Sequence, residues 1–242
     1  AEVAKPYYYK VYLADHDVTT EIAPTSRAAM FRFTFPESND SYVVVDAFDN
    51  GSYVKVIPEE NKIIGYTTKN SGSVPENFKN YFVLVFDKPF TFTAAVTNGN
   101  IRPGELESKD KHAGGIIGFS TRRGETVNVR VASSFISPEQ AEQNLKELGK
   151  DNLEAVAAKG RQEWNKVLGR IEVEDDNMDH LRTFYSCLYR SVLFPRSFYE
   201  LDAKGSPVHY SPYNGKVLPG YMFTDTGFWD TFRCLFPFLN LM

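Results

Sequence analysis

The hydrophobic pattern of this chain changes period once, near Ser137, and that change limits what the chain can fold into. Before it, apolar residues alternate: Phe31, Phe33 and Phe35 against Arg32 and Thr34, then Val127, Val129 and Val131 against Asn128 and Arg130. A period of two sends successive side chains to opposite faces of a sheet. The same reading places strands at residues 8–13, 42–45, 53–57, 63–68, 81–86, 90–96 and 116–119, separated by turn signals such as Asp49-Asn50-Gly51 and Asn98-Gly99-Asn100. Many short strands at this spacing predict an antiparallel β-sandwich over residues 1–137.

From Ser137 the spacing is helical. Ser137-Pro138-Glu139-Gln140 offers a hydroxyl N-cap, a proline pre-set for the first turn and a Gln able to complete a capping box. Ala141, Leu145 and Leu148 form the stripe of the first helix, and Gly149 can supply its left-handed end. A second helix carries Leu153, Val156, Ala157, Gly160, Trp164, Val167 and Leu168 on one face and stops at Gly169. Residues 138–170 therefore read as a helical linker. Beyond it, in residues 171–242, Leu181, Phe184, Tyr185, Leu188 and Val192 define a third helix closed by Pro195. Residues 195–226 are rich in Tyr, Gly and Pro, as either a functional loop or aromatic packing beneath one. A fourth helix is expected from Gly227 through Phe236 to Met242, an apolar end without a polar tail. That ending predicts that the helical part is truncated.

Composition excludes several classes. The 242 residues carry 27 basic and 31 acidic side chains, a net charge of -4, with no basic block; nucleic acid is not an expected partner. No apolar run approaches the ~20 residues of a transmembrane helix, and Ala1-Glu2-Val3-Ala4-Lys5-Pro6 has no signal-peptide pattern. The chain reads as soluble, and as processed or trimmed. Cys187 and Cys234 lie in apolar segments and are expected to be small buried thiols; His16, His112, His180 and His209 lack the close spacing of a zinc helix, and none is a candidate ligand.

No phosphate-binding glycine loop, nucleophile elbow or metal box is present in the sequence. The most suggestive cluster is Asp225, Trp229 and Asp230 around a Gly turn. An indole against the C–H face of a sugar, with a carboxylate accepting from its hydroxyls, is a sound carbohydrate contact. Equally, Trp229 can be core and Asp230 can serve the dipole at a helix N-terminus.

Two stretches carry a resemblance: Tyr185-Ser186-Cys187-Leu188-Tyr189-Arg190 leading to Phe194-Pro195-Arg196, and Gly220-Tyr221-Met222-Phe223-Thr224-Asp225 leading to Trp229-Asp230-Thr231-Phe232-Arg233. They resemble glycoside hydrolase family 92, a family of α-mannosidases. Arg27, Arg32-Phe33-Thr34-Phe35-Pro36 and Val131-Ala132-Ser133-Ser134-Phe135-Ile136-Ser137 are similar to its N-terminal sandwich. The similarity spans nearly the whole chain and is strongest over residues 182–239. It implies a β-sandwich joined by helices to an (α/α) toroid. It also implies an exo-acting, calcium-dependent hydrolase that inverts at the anomeric carbon, acts on mannose-containing glycans, most often at α-1,2 linkages, and is exported to the periplasm, cell surface or medium of a bacterium. Of the family's site residues, Trp229 and Asp230 match the motif that lines the glycone subsite, and Asp225 is the third candidate. The acid, the base and the Ca2+ ligands are expected beyond Met242, so this chain alone is expected to be inactive. The family's glycine-rich opening has no counterpart before Tyr7, which predicts a missing N-terminal flank as well.

Two other readings compete: a non-catalytic carbohydrate-binding or structural sandwich with a helical extension, and a different toroid glycosidase. Binding of mannosides by the chain unaided favours the first; the Trp-Asp-Thr-Phe-Arg context argues against the second.

Overall fold

A computed structural model describes residues 2–242. As expected, the first part is an antiparallel β-sandwich followed by a few helices. One sheet has nine strands in the spatial order β1 (Glu2–Lys5), β2 (Tyr8–Leu13), β3 (Val18–Pro24), β4 (Ala28–Phe35), β13 (Glu125–Ser134), β8 (Asn80–Phe86), β7 (Lys62–Thr67), β6 (Ser52–Ile57) and β11 (Glu107–Asp110). The second has four: β10 (Asn100–Pro103), β9 (Phe92–Thr97), β12 (Ala113–Thr121) and β5 (Ser38–Asp46). Strands β1, β3, β10 and β11 were not anticipated. Polar residues such as Thr19, Thr20 and Glu21 hide the alternation of β3, and the other three are only four residues long.

Between the sheets lies one core in which Phe35, Val54, Val56, Phe86, Ile117, Phe119, Val127 and Val129 are buried. Phe31 and Phe33 pack against it from β4, as their parity requires. The opposite parity does not meet water. Met30, Val83 and Ala132 point outward into a second buried cluster, covered by α1 (Pro138–Leu145) and α2 (Leu153–Leu168) through Ala141, Leu148, Leu153 and Val156. The two linker helices thus form a third layer on the nine-stranded sheet. Arg32, on that face, reaches across to Glu154 of α2 with both guanidinium ends, at 2.6 and 3.1 Å.

Local chemistry sets these helices. Ser137 Oγ accepts from Gln140 N (3.1 Å), while Asn152 Oδ1 accepts from Ala155 N (2.9 Å). Gln140 does not complete a capping box: its amide donates to Asn144 Oδ1 and to the Leu201 carbonyl instead. Gly160 lets α2 approach the N-terminal strands closely, since a Cβ there would stand 2.9 Å from Tyr7 Cβ. Trp164 packs edge-on against Tyr189 of α3 (Met178–Ser191), centroids 4.9 Å apart.

Two further expectations are corrected. The apolar C-terminal stretch is not one helix but two, α4 (Phe228–Thr231) and α5 (Leu235–Leu241). Pro237 has no N–H to give the Arg233 carbonyl and its ring would collide with that carbonyl, so it sits in the first turn of a new helix. Cys187 and Cys234 are both exposed, not buried. In α3 the buried residue is Leu188, one position and ~100° around the helix from Cys187. Cys234 falls in the break between α4 and α5.

Candidate functional site

Residues 195–226 are not one irregular loop. They fold into two small sheets: β14 (Arg196–Ser197) with β18 (Phe223–Thr224), and β15 (Glu200–Leu201), β16 (Pro207–Tyr210) and β17 (Val217–Pro219) in succession. Tight turns close them. Asp202 Oδ1 accepts from the N–H of Lys204 and Ser206, both at 2.8 Å, and Gly215 takes φ +69°. Gly215 also has no room for a side chain, because a Cβ would lie 2.4 Å from Asn77 Oδ1.

This double sheet is clamped to the sandwich. Glu200 is only 4% exposed; its Oε1 accepts from Phe135 N (2.8 Å) and its Oε2 from Asn144 Nδ2 (2.7 Å). Arg27 donates from Nε to the Tyr199 carbonyl (2.9 Å), pairs with Glu147 and lies 5.0 Å over the Tyr199 ring. Tyr210 donates to Asn77 Oδ1 (3.0 Å), and burial raises its pKa. Phe135 joins the rings of Phe78 and Phe198 at 5.6 and 4.6 Å. The aromatic content of the segment is therefore partly packing and partly, as follows, surface.

On the free side of the clamp the three sequence candidates follow one another. Asp225 leaves β18 with a left-handed backbone, φ +66°, a region that Asp tolerates better than most residues. Its Oδ2 accepts from Arg196 Nε (2.5 Å), pairs with Arg196 Nη2, and takes the Thr224 hydroxyl at 3.2 Å. Arg196 stands opposite Thr224 in the β14–β18 ladder, so strand register brings the pair together. Asp225 is thereby part of an ion pair that fixes the turn.

Gly227 then caps α4, with Trp229 and Asp230 in its first turn. Trp229 is 84% exposed. That excludes it from the core of this chain, although its ring lies near that of Phe232, centroids 6.3 Å apart. Asp230 folds back over Gly227, where a Cβ would stand 2.9 Å from Oδ2. It occupies the favourable N-terminal end of a helix dipole, while the residue as a whole remains exposed.

Behind the Arg196–Asp225 pair a cleft of about 600 Å³ opens between residues 73–78 of the sandwich and the two small sheets. Arg196, Tyr213, Thr224, Asp225 and Thr226 line it from one side, Ser73 and Phe78 from the other. Sequence reading missed Arg196, Tyr213 and Thr226 as site residues; their signal was the unusual length of the Tyr-, Gly- and Pro-rich segment. Among the described residues, no three His, Cys, Asp or Glu side chains converge as a group able to hold a metal ion.

Comparison with known proteins agrees with this architecture. Residues 1–134 match the N-terminal domain model of glycosyl hydrolase family 92, and residues 140–242 match its catalytic domain model. An inverting mannosidase of that family from Bacteroides thetaiotaomicron is 44% identical and superposes with a TM-score of 0.95, over 98% of this chain and 32% of its own. An α-mannosidase of the family from the same bacterium, solved with mannoimidazole, is 30% identical with a TM-score of 0.87, over 99% of this chain and 32% of its own. An uncharacterized secreted glycosidase from Arthroderma benhamiae is 26% identical over 228 residues, 81% of this chain and 29% of its own. The chain thus spans about a third of the length of these relatives. With both of its parts matched in order, the chain belongs to glycosyl hydrolase family 92.

Proposed function

We propose that these residues are the sandwich and the opening of the catalytic domain of an exo-acting, inverting α-mannosidase that removes terminal α-linked mannose, preferentially α-1,2-linked, from glycans. The observation that carries this reading is the exposed Trp229 next to Asp230, presented at a helix start by a clamped and ion-paired turn. Similarity to two family 92 mannosidases, one of them solved with mannoimidazole, supplies the sugar.

Inversion requires one carboxyl group to protonate the leaving oxygen and a second to activate water on the opposite face of the ring. In this reading both lie outside these 242 residues. The part played by this chain is to hold the glycone: Trp229 covers the C–H face of the ring, Asp230 accepts from its hydroxyls, and the Arg196–Asp225 pair fixes the turn that aims them. Calcium dependence belongs to the same proposal, with ligands from outside this chain. So does export, for which similarity to a secreted glycosidase is the support; no helix is long and apolar enough to cross a membrane.

The test is hydrolysis of α-1,2-mannobiose with and without calcium. The 242-residue chain is expected to release no mannose, and the intact protein to release the β-anomer first, seen by proton NMR. Release by the chain alone puts the catalytic carboxyls inside it. Mannoside binding without turnover by the intact protein supports the carbohydrate-binding reading instead.

A further inference from the structure

The four-stranded sheet departs from the pattern of a sheet with one wet face. In such a sheet apolar residues alternate with polar ones, whereas a strand buried on both faces reads as a continuous apolar run. Strand β5 contains Tyr42-Val43-Val44-Val45, and β12 contains Ile116-Ile117-Gly118-Phe119. One parity is accounted for, because Val43, Val45, Ile117 and Phe119 belong to the core between the sheets. The other parity points away from that core.

Strand register arranges this second parity in rows. Val44, Ile116, Ala94 and Pro103 stand side by side across β5, β12, β9 and β10. Val96 and Ile101 continue the surface on one side of that row. On the other side the rings of Tyr42 and Phe92 meet edge-on, centroids 5.4 Å apart, above Gly118, where a Cβ would stand 2.8 Å from Phe92 and 2.9 Å from the Tyr42 ring. Val44 is 62% exposed and Ile101 59%, so among the described residues nothing covers the rows. Their one charge is Asp46, at a corner, and it is held by His112 at 2.6 Å. Polar residues border the face, Asp40 and Ser120 at one end and Asn98 and Asn100 at the other.

Three observations select what covers it. The catalytic-domain segment is tied to the nine-stranded sheet and its helices, through Phe135, Asn144, Arg27 and Asn77, so both sheets of the sandwich stand between that segment and this face. A sugar would find few free donors or acceptors, since the Tyr42 hydroxyl already donates to Asp40 and Asp46 is paired. Size and charge suit the same face of another copy. With strands up to nine residues long, the face projects roughly 600 Å² before the relief of its side chains is counted, against the about 800 Å² that each partner gives to a stable interface. An apolar centre with a polar border is the anatomy of such an interface, and a centre without charge opposes itself with no like charges meeting.

We infer that the outer face of the four-stranded sheet is a self-association surface, on which two copies of the intact protein pack about a two-fold axis. The pairing stacks four sheets and leaves both catalytic-domain segments on the outer sides.

The experiment is sedimentation equilibrium of the intact protein at concentrations around 10 µM. The parent is expected at twice the monomer mass. Val44→Lys and Ile101→Lys each bury a lone charge in the joined face and are expected to weaken association at least a hundredfold, giving monomers with the circular dichroism of the parent, because both side chains are exposed in the single chain. Val44→Thr keeps the β-branched shape that strands favour and should weaken association about tenfold. Val3→Lys, exposed on β1 of the other sheet, should leave the doubled mass unchanged. A parent that is monomeric throughout overturns the inference, as does a dimer that survives both Val44→Lys and Ile101→Lys. Species that grow beyond two copies with concentration overturn it as well, since an isologous contact closes at two.

Discussion

Glu200 is a carboxylate with almost no contact with water, and replacing it should show how firmly the catalytic-domain segment is bound to the sandwich. Its two oxygens take one hydrogen bond each, from Phe135 N at the end of β13 and from Asn144 Nδ2 in α1. Asn144 is itself buried and cannot rotate its amide to adapt, because Nδ2 also donates to the Ser133 carbonyl and Oδ1 accepts from Gln140. In Glu200→Ala the Phe135 N–H loses its acceptor in a partly buried site, and Asn144 keeps one of its two. An orphaned buried donor costs about 1–3 kcal/mol, and a hydrogen bond to a charged group is worth about 1.5–3 kcal/mol. Relief of the desolvated carboxylate offsets part of this. The expected net loss is about 3 kcal/mol, which for a chain of this size lowers Tm by roughly 6–12 °C. Glu200→Gln retains the bond to Phe135 but turns an amide donor toward the Asn144 donor, so it should fall between the two, at about 1–2 kcal/mol. Thermal unfolding by circular dichroism orders the three proteins. A Tm for Glu200→Ala within about 1 °C of the parent refutes the reasoning, since the node would then carry no net stability.

Three further outcomes follow. In the intact protein Asp230→Asn should reduce kcat/KM on mannosides tenfold or more while costing ~1 kcal/mol or less of stability, whereas near-normal turnover leaves Asp230 only its favourable place in the first turn of α4. Gly65→Ala has a negative φ and fails on space alone: its Cβ would meet the Tyr53 carbonyl at 2.2 Å and the Phe82 ring at 2.5 Å, so a loss of about 3 kcal/mol or more in chemical denaturation is expected, and a loss below ~1 kcal/mol disproves the clash. The Tyr8 hydroxyl is pushed up to about 12, first by burial and then by its bond to Glu21, and Tyr53 to about 12 by burial and Glu107. A raised folded pKa means that the stabilisation is complete below the unfolded value near 10 and is lost as pH rises toward 12. Melting curves between pH 9 and 12 should therefore fall more steeply for the parent than for Tyr8→Phe, and equal slopes would show that Tyr8 is not linked to folding.

How much of this could be read from the sequence depended on length and on burial. The long strands β4 and β13 announced themselves because three alternating positions in each faced one core, Phe31, Phe33 and Phe35 in the first and Val127, Val129 and Val131 in the second. Two-residue strands such as Arg196–Ser197 have no period to detect; only the pairing partner, some 27 residues on, defines them. Polar residues that are buried for their hydrogen bonds were also invisible, since nothing local marks Glu200 or Asn144 as different from a surface Glu or Asn. The break before α5 was legible in Pro237, but the continuous run of Leu and Phe around it argued for a single helix. The Asp225, Trp229 and Asp230 cluster could be named from residue types, whereas the Arg196 partner of Asp225 needed the strand register.

The position of β13 has a consequence for synthesis. It lies between β4 and β8 and is the strand that joins the block β1–β4 to the block β8, β7, β6 and β11. Ala28 pairs with Ala132, roughly a hundred residues later. At about 5–20 residues per second, β4 leaves the ribosome many seconds before its partner exists. During that interval its Phe31, Phe33 and Phe35 row and its unpaired backbone edge are open to the cell. The nascent chain is therefore expected to be a chaperone client from about residue 35 until β13 emerges, and ribosome profiling of chaperone-bound nascent chains should show occupancy that ends shortly after residue 134 clears the exit tunnel.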